Sequence, residues 1–168
     1  MLAKLLKALN AEGSPSQISG AFVLGMIIGF TPLGTPHNLL ILFFALVLRI
    51  NLTGFLLAWG VFSAIAYLLD PVFITLGEHL LTHPELKETW RGMYVVDAWR
   101  VTRFNNTLVL GSLVVSLVMA LPAFFLFNLL IRQYREHVLA AVQTSKIVQM
   151  LKANKLYRIY NALTVEGV

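Results

Sequence analysis

The stretch "GFTPLGTPHNLL", Gly29 to Leu40, gathers Thr31, Thr35, His37 and Asn38 around Pro32, Gly34 and Pro36 inside an otherwise apolar region. Further along, Arg49 and Asn51 stand in "RINLTG", and a single carboxylate, Asp70, precedes Pro71 in the next apolar run. The chemistry this set offers is recognition. Neutral amide, hydroxyl and imidazole groups hold the polar atoms of a ligand, and an arginine fork pairs a phosphate bidentately. Bond-making needs a nucleophile or an acid/base pair held by a third group. The chain has no G-x-S-x-G, no H-E-x-x-H, no paired carboxylates within an apolar segment and no phosphate-cradling loop before a helix. It also has no cysteine, which removes disulfides, Cys-type zinc sites, iron–sulfur clusters and thiol nucleophiles. A protein with no catalytic residues and no cofactor is expected. Asp70 has two readings, an acid at a helix end or interface and a carboxylate buried in a transport path. Glu78, His79, His83, Glu85 and Glu88 stand close in sequence, but Pro84 interrupts the helix and no third ligand has a defining spacing. They read as a hydrated rim, and no metal site is expected.

The elements that must position these residues belong to a membrane. Of the 168 residues 58% are apolar and only 12% charged, with a mean hydropathy of +0.76, far outside globular usage. The expected fold is all-α: a polytopic helical membrane protein with a helical hairpin, two spanning helices and amphipathic interfacial helices. "MLAKLLKALNAEGSPS" reads as a short amphipathic helix ending in a polar turn rather than a signal peptide, with Ser14 as cap and Pro15 at a first helical position. From Ile18 to Phe30 the chain offers roughly 20 Å of helix, and from Leu39 to Leu48 about 15 Å, both short of a hydrocarbon core of about 30 Å. Two readings follow for the hairpin over residues 18–48. It is re-entrant, with its tip inside the bilayer, or both arms borrow flanking residues and span. In either case a tip rich in proline and glycine needs protein or a wet cavity around it, because exposed backbone is intolerable in lipid.

Ala21, Gly25 and Gly29 recur every four residues, so one face of the first arm is a packing seam of the G-x-x-x-G kind. Spacing leaves its partner open: the second arm, another helix or another copy. Leu52 onward reads as a spanning helix to about residue 80, kinked at Pro71. Residues 84–103 read as one amphipathic interfacial helix anchored by Trp90, Tyr94 and Trp99. Thr107 to Ile131 is a second span containing Pro122. Arg132, Arg135, Lys146, Lys152, Lys155 and Arg158 then make residues 132–168 a basic amphipathic tail. With Lys4, Lys7 and Arg49 on the same side, both termini are expected in the cytoplasm. Anionic lipid is the simpler attractor for that tail, and nucleic acid is not expected as a partner.

Ser14 to Trp59, "SPSQISGAFVLGMIIGFTPLGTPHNLLILFFALVLRINLTGFLLAW", resembles the core of an uncharacterised family of small bacterial inner-membrane proteins, a domain of unknown function. The shared elements are Ser14–Pro15, Gly25 and Gly29, Pro32, Gly34, His37, and Arg49 with Asn51. Thr35–Pro36, inserted before His37, is a departure. The resemblance implies association with envelope-lipid or glycolipid handling, and a companion role beside a long periplasmic lipid-bridge protein. It does not imply a reaction. The expectation is a non-enzymatic inner-membrane subunit that handles envelope lipid, with a protein partner or a second copy; the alternatives are a structural anchor and an ion or small-solute channel. The groove-lining set is Thr31, Pro32, Gly34, Thr35, His37, Asn38, Arg49, Asn51 and Asp70.

Overall fold

A computed structural model of the chain describes residues 13–48 and 50–139. Among these, the elements are helices: α1 (Pro15–Phe30), α2 (Pro36–Val47), α3 (Leu52–Thr82), a 3-10 turn (Pro84–Leu86), α4 (Lys87–Val95), α5 (Asp97–Val101), α6 (Thr107–Gln133) and a π-helical turn (Tyr134–Leu139). Two compact units make up the chain, Met1–Leu129 and Leu130–Val168, and the site lies in the first. The expected tail helix lies outside the described residues from residue 140 onward, as do Lys4, Lys7 and Arg49.

Local sequence sets the helix starts. Ser14 closes a capping box: its hydroxyl accepts from the Gln17 N–H at 3.2 Å while Gln17 Oε1 accepts from the Ser14 N–H at 2.9 Å, and Pro15 opens the helix at a position where the N–H it lacks would have no partner within the helix. Thr31, forced out of helical geometry by the proline after it, ends α1 in extended conformation at ψ 145°. Asn51 caps α3, its Oδ1 accepting from the Gly54 N–H at 2.7 Å. α3 then runs unbroken through Pro71 for 31 residues.

Packing resolves the seam. A Cβ on Gly25 would lie 2.6 Å from the Phe55 carbonyl oxygen and 2.7 Å from Ala58 Cβ, and one on Gly29 would lie 2.8 Å from Phe62 Cβ. The partner is therefore α3, and because later residues of α1 meet later residues of α3 the two helices run parallel. Backbones this close gain dispersion contacts that any side chain at the seam would forbid. A second seam, not foreseen from sequence, joins α3 to α6. A Cβ on Gly77 would collide with the Thr107 carbonyl oxygen, and one on Gly111 with the Phe73 carbonyl oxygen. Ser112 and Ser116 on α6 are fully buried, their hydroxyls satisfied by the carbonyls of Leu108 and Leu113.

Leu52–Thr82 and Thr107–His137 are long and apolar enough to cross a membrane. Only 22% and 17% of their most apolar stretches are buried within the protein, whereas a core helix of a soluble protein is mostly buried. The expected single helix over residues 84–103 is corrected: Val96, extended at φ −93° and ψ 119°, separates α4 from α5. Successive β-branched Val95 and Val96 favour that extended geometry, and Asp97 opens the next helix in its first turn. Trp90 is tied down, donating from Nε1 to the Leu80 carbonyl at 2.9 Å and stacking on Phe104 with ring centroids 5.9 Å apart.

Candidate functional site

The turn between α1 and α2 is Thr31 to Thr35, so His37 and Asn38 belong to the first turn of α2 rather than to the loop. Its polar groups are spent largely on one another. The Thr31 hydroxyl lies 2.9 Å from the Ile27 carbonyl oxygen and 2.8 Å from Asn38 Oδ1, one proton serving two acceptors. Asn38 Nδ2 donates to the Pro32 carbonyl at 2.9 Å, which also accepts from the Thr35 hydroxyl at 3.0 Å. His37 Nε2 reaches the Thr35 hydroxyl at 2.9 Å. Thr31, Thr35 and Asn38 are buried, so these bonds satisfy groups that would otherwise each cost about 1–3 kcal/mol. The turn is a self-bonded clamp.

Beside it a cleft of about 290 Å³ opens between the turn and α3. Thr31, Pro32 and Leu33 form one side; Ser63, Tyr67 and Asp70 on α3 form the other, and Leu108 at the start of α6 contributes to the wall. The cleft is mostly apolar, with one charge. Asp70 is the sole acidic or basic residue between Asn51 and Glu78, it is half-buried, and no ion pair engages it among the described residues. At the rim Leu33 and Tyr67 are 64% and 80% exposed, so the cleft communicates with the outer surface of the helices.

Thr31, Pro32 and Asp70 thus come together at the cleft, while Gly34, Thr35, His37 and Asn38 shape the turn behind it. Asn51 is elsewhere: it caps α3, 19 residues before Asp70 and so about 28 Å away along the helix. Arg49 lies outside the described residues; its neighbours Leu48 and Ile50 stand at the α2–α3 connection, the end of α2 away from the turn. Sequence reasoning missed Ser63, Tyr67 and Leu108. It also missed Arg103, whose Nη1 lies 3.8 Å from where a Cβ on Gly34 would sit. Arg103 has φ +59°, the sole non-glycine residue in the left-handed region among the described residues. No three His, Cys, Asp or Glu side chains among the described residues are grouped to hold a metal ion.

A profile of an uncharacterized protein family conserved in bacteria, DUF2062, matches residues 1–139. The chain belongs to that family. It is also 23% identical over 151 residues to an uncharacterized protein of Treponema pallidum (strain Nichols), an alignment covering 90% of this chain and 93% of the relative. No solved structure matches.

Proposed function

We propose that this member of the bacterial family is a non-enzymatic inner-membrane protein that handles envelope lipid at the cleft beside its hairpin tip. The observation that carries the reading is the cleft itself: an apolar recess with one unpaired carboxylate, open sideways between Leu33 and Tyr67 on helices long enough to span. Such a recess admits a polar headgroup while the acyl chains stay in lipid. The re-entrant reading of the hairpin is supported by lengths. The tip meets α3 near Ala66 to Asp70, and α3 continues for the 12 residues Pro71–Thr82, about 18 Å, past it. The basic tail supports a topology with both termini in the cytoplasm, and on this reading a larger envelope protein or a second copy would complete the assembly.

The test is photocrosslinking in native membranes. A photoreactive residue at Leu33 should capture phospholipid, and one at Leu46, on the outer face of α2, should capture it without distinguishing one headgroup from another. Absence of any lipid adduct at Leu33 would remove the reading. A structural-anchor reading is favoured by one observation, the self-bonded turn, since Thr31, Thr35 and Asn38 are occupied without a ligand. On that reading filling the cleft by Ala66→Phe leaves function intact; on the lipid reading it abolishes lipid capture.

A further inference from the structure

Two opposite charges flank the hairpin tip, and neither is matched by the protein. Asp70 sits on the α3 wall of the cleft, and Arg103 approaches from the α5–α6 connection to lie against Gly34, next in the chain to the cleft residue Leu33. The neighbouring charges are already paired: Arg91 with Glu88 at 2.9 Å and Arg100 with Asp97 at 3.1 Å. No such pair engages Asp70 or Arg103 among the described residues, and the two are not bonded to each other. The Arg103 backbone is held in a conformation that non-glycine residues rarely adopt, and such outliers cluster where a side chain is placed for use.

We infer that the tip is selective for a zwitterionic phosphoammonium lipid headgroup, with Asp70 taking the ammonium and Arg103 the phosphate. This rests on the lipid-handling reading and narrows its substrate class. A carboxylate in an apolar segment is costly unless a cation meets it, and a headgroup that brings its own ammonium supplies that cation. The guanidinium is suited to the phosphate because its planar donors engage two oxygens at once and it stays charged in any surroundings. An anionic headgroup with phosphate but no amine satisfies Arg103 and leaves Asp70 repelling it. Discrimination between the two therefore resides in Asp70, whereas overall retention resides in Arg103.

The experiment uses the full chain in nanodiscs containing equal phosphatidylethanolamine and phosphatidylglycerol, with a photoreactive residue at Leu33 and mass spectrometry of the captured lipid. The native protein is expected to capture phosphatidylethanolamine about tenfold over phosphatidylglycerol, the size of one charge-assisted hydrogen bond. Asp70→Asn should abolish the preference by lowering phosphatidylethanolamine capture toward the phosphatidylglycerol level, Asp70→Glu should retain it, and Arg103→Gln should reduce capture of both lipids. Capture of the two lipids in equal amounts by the native protein, or an unchanged preference in Asp70→Asn, would overturn the inference while leaving lipid handling in place. No capture of either lipid would overturn both. Displacement of the lipid by an equal concentration of soluble glycerophosphoethanolamine would assign the site to a free solute and overturn it as a lipid site. Asp70→Glu guards against misfolding, since a folded variant of either kind decides the question.

Discussion

The two arms of the hairpin are almost equally apolar and meet opposite fates. Ten residues of the sixteen in α1 are buried, against three of the twelve in α2. The difference lies in side-chain size. α1 interleaves Ser19, Gly20, Ala21, Gly25 and Gly29 among its larger residues, and its seam lets the α3 backbone in. α2 reads Leu39, Leu40, Ile41, Leu42, Phe43, Phe44, and its one small side chain, Ala45, is 2% exposed while Leu39 and Leu46 are 69% and 71% exposed. Apolarity decides that a segment leaves water; small residues decide what it touches afterwards.

Breaking this rule should be easiest where the backbones are closest. Gly111→Ala, which drives a methyl group into the Phe73 carbonyl, and Gly25→Leu, which does the same to Phe55, are each expected to cost more than about 3 kcal/mol. The readout is loss of the monodisperse peak and of the thermal transition in detergent, and full retention in both would refute the seams. Next in size is Asn38→Ala, which strips the part-buried Pro32 carbonyl of one donor and leaves the buried Thr31 hydroxyl with one acceptor instead of two; a loss of about 1–3 kcal/mol by denaturant titration is expected. Gly20→Ala sharpens the comparison from inside α1. Its added methyl meets nothing within 4 Å, so the gain in helix propensity should stabilise the protein by roughly 0.5–1 kcal/mol, opposite in sign to the seam glycines. The smallest effect belongs to α2: Leu39→Ala and Leu46→Ala should change stability by less than about 0.5 kcal/mol, because both side chains lie mostly outside the protein's own packing. A loss as large as that of Asn38→Ala would show that another protein surface covers α2.

Much of the fold was legible because its signals are local. The Ser14–Pro15 start, the apolar runs that became α3 and α6, and the Ala21–Gly25–Gly29 face all follow from spacing over a few residues. The partner of that face was not legible, since periodicity names a face and not its neighbour. Gly77 and Gly111 carried a weak signal, each a poor helix former kept inside an apolar helix, but nothing local tied the one to Thr107 or the other to Phe73. The site was half legible for the same reason. The residue types at Thr31, Thr35 and Asn38 announce hydrogen bonding, yet whether they bind a ligand or the turn depends on where the Ile27 and Pro32 carbonyls fall. Arg103 reaches Gly34 across 69 residues of chain, beyond any spacing argument. Asn51, read as part of the groove, carries a capping signal that the polar neighbourhood of Arg49 obscured.

The parallel course of α1 and α3 fixes an order of events during synthesis. The seam of α1 is complete once Phe30 has been made, but the surface it docks on extends to Ser63, 33 residues later. At about 5–20 residues per second the ribosome takes roughly 2–7 s to produce it. Throughout that interval a nearly uniform apolar helix has its glycine face unfilled. α1 is thus a segment whose packing face stays open until α3, which lines it, has been made.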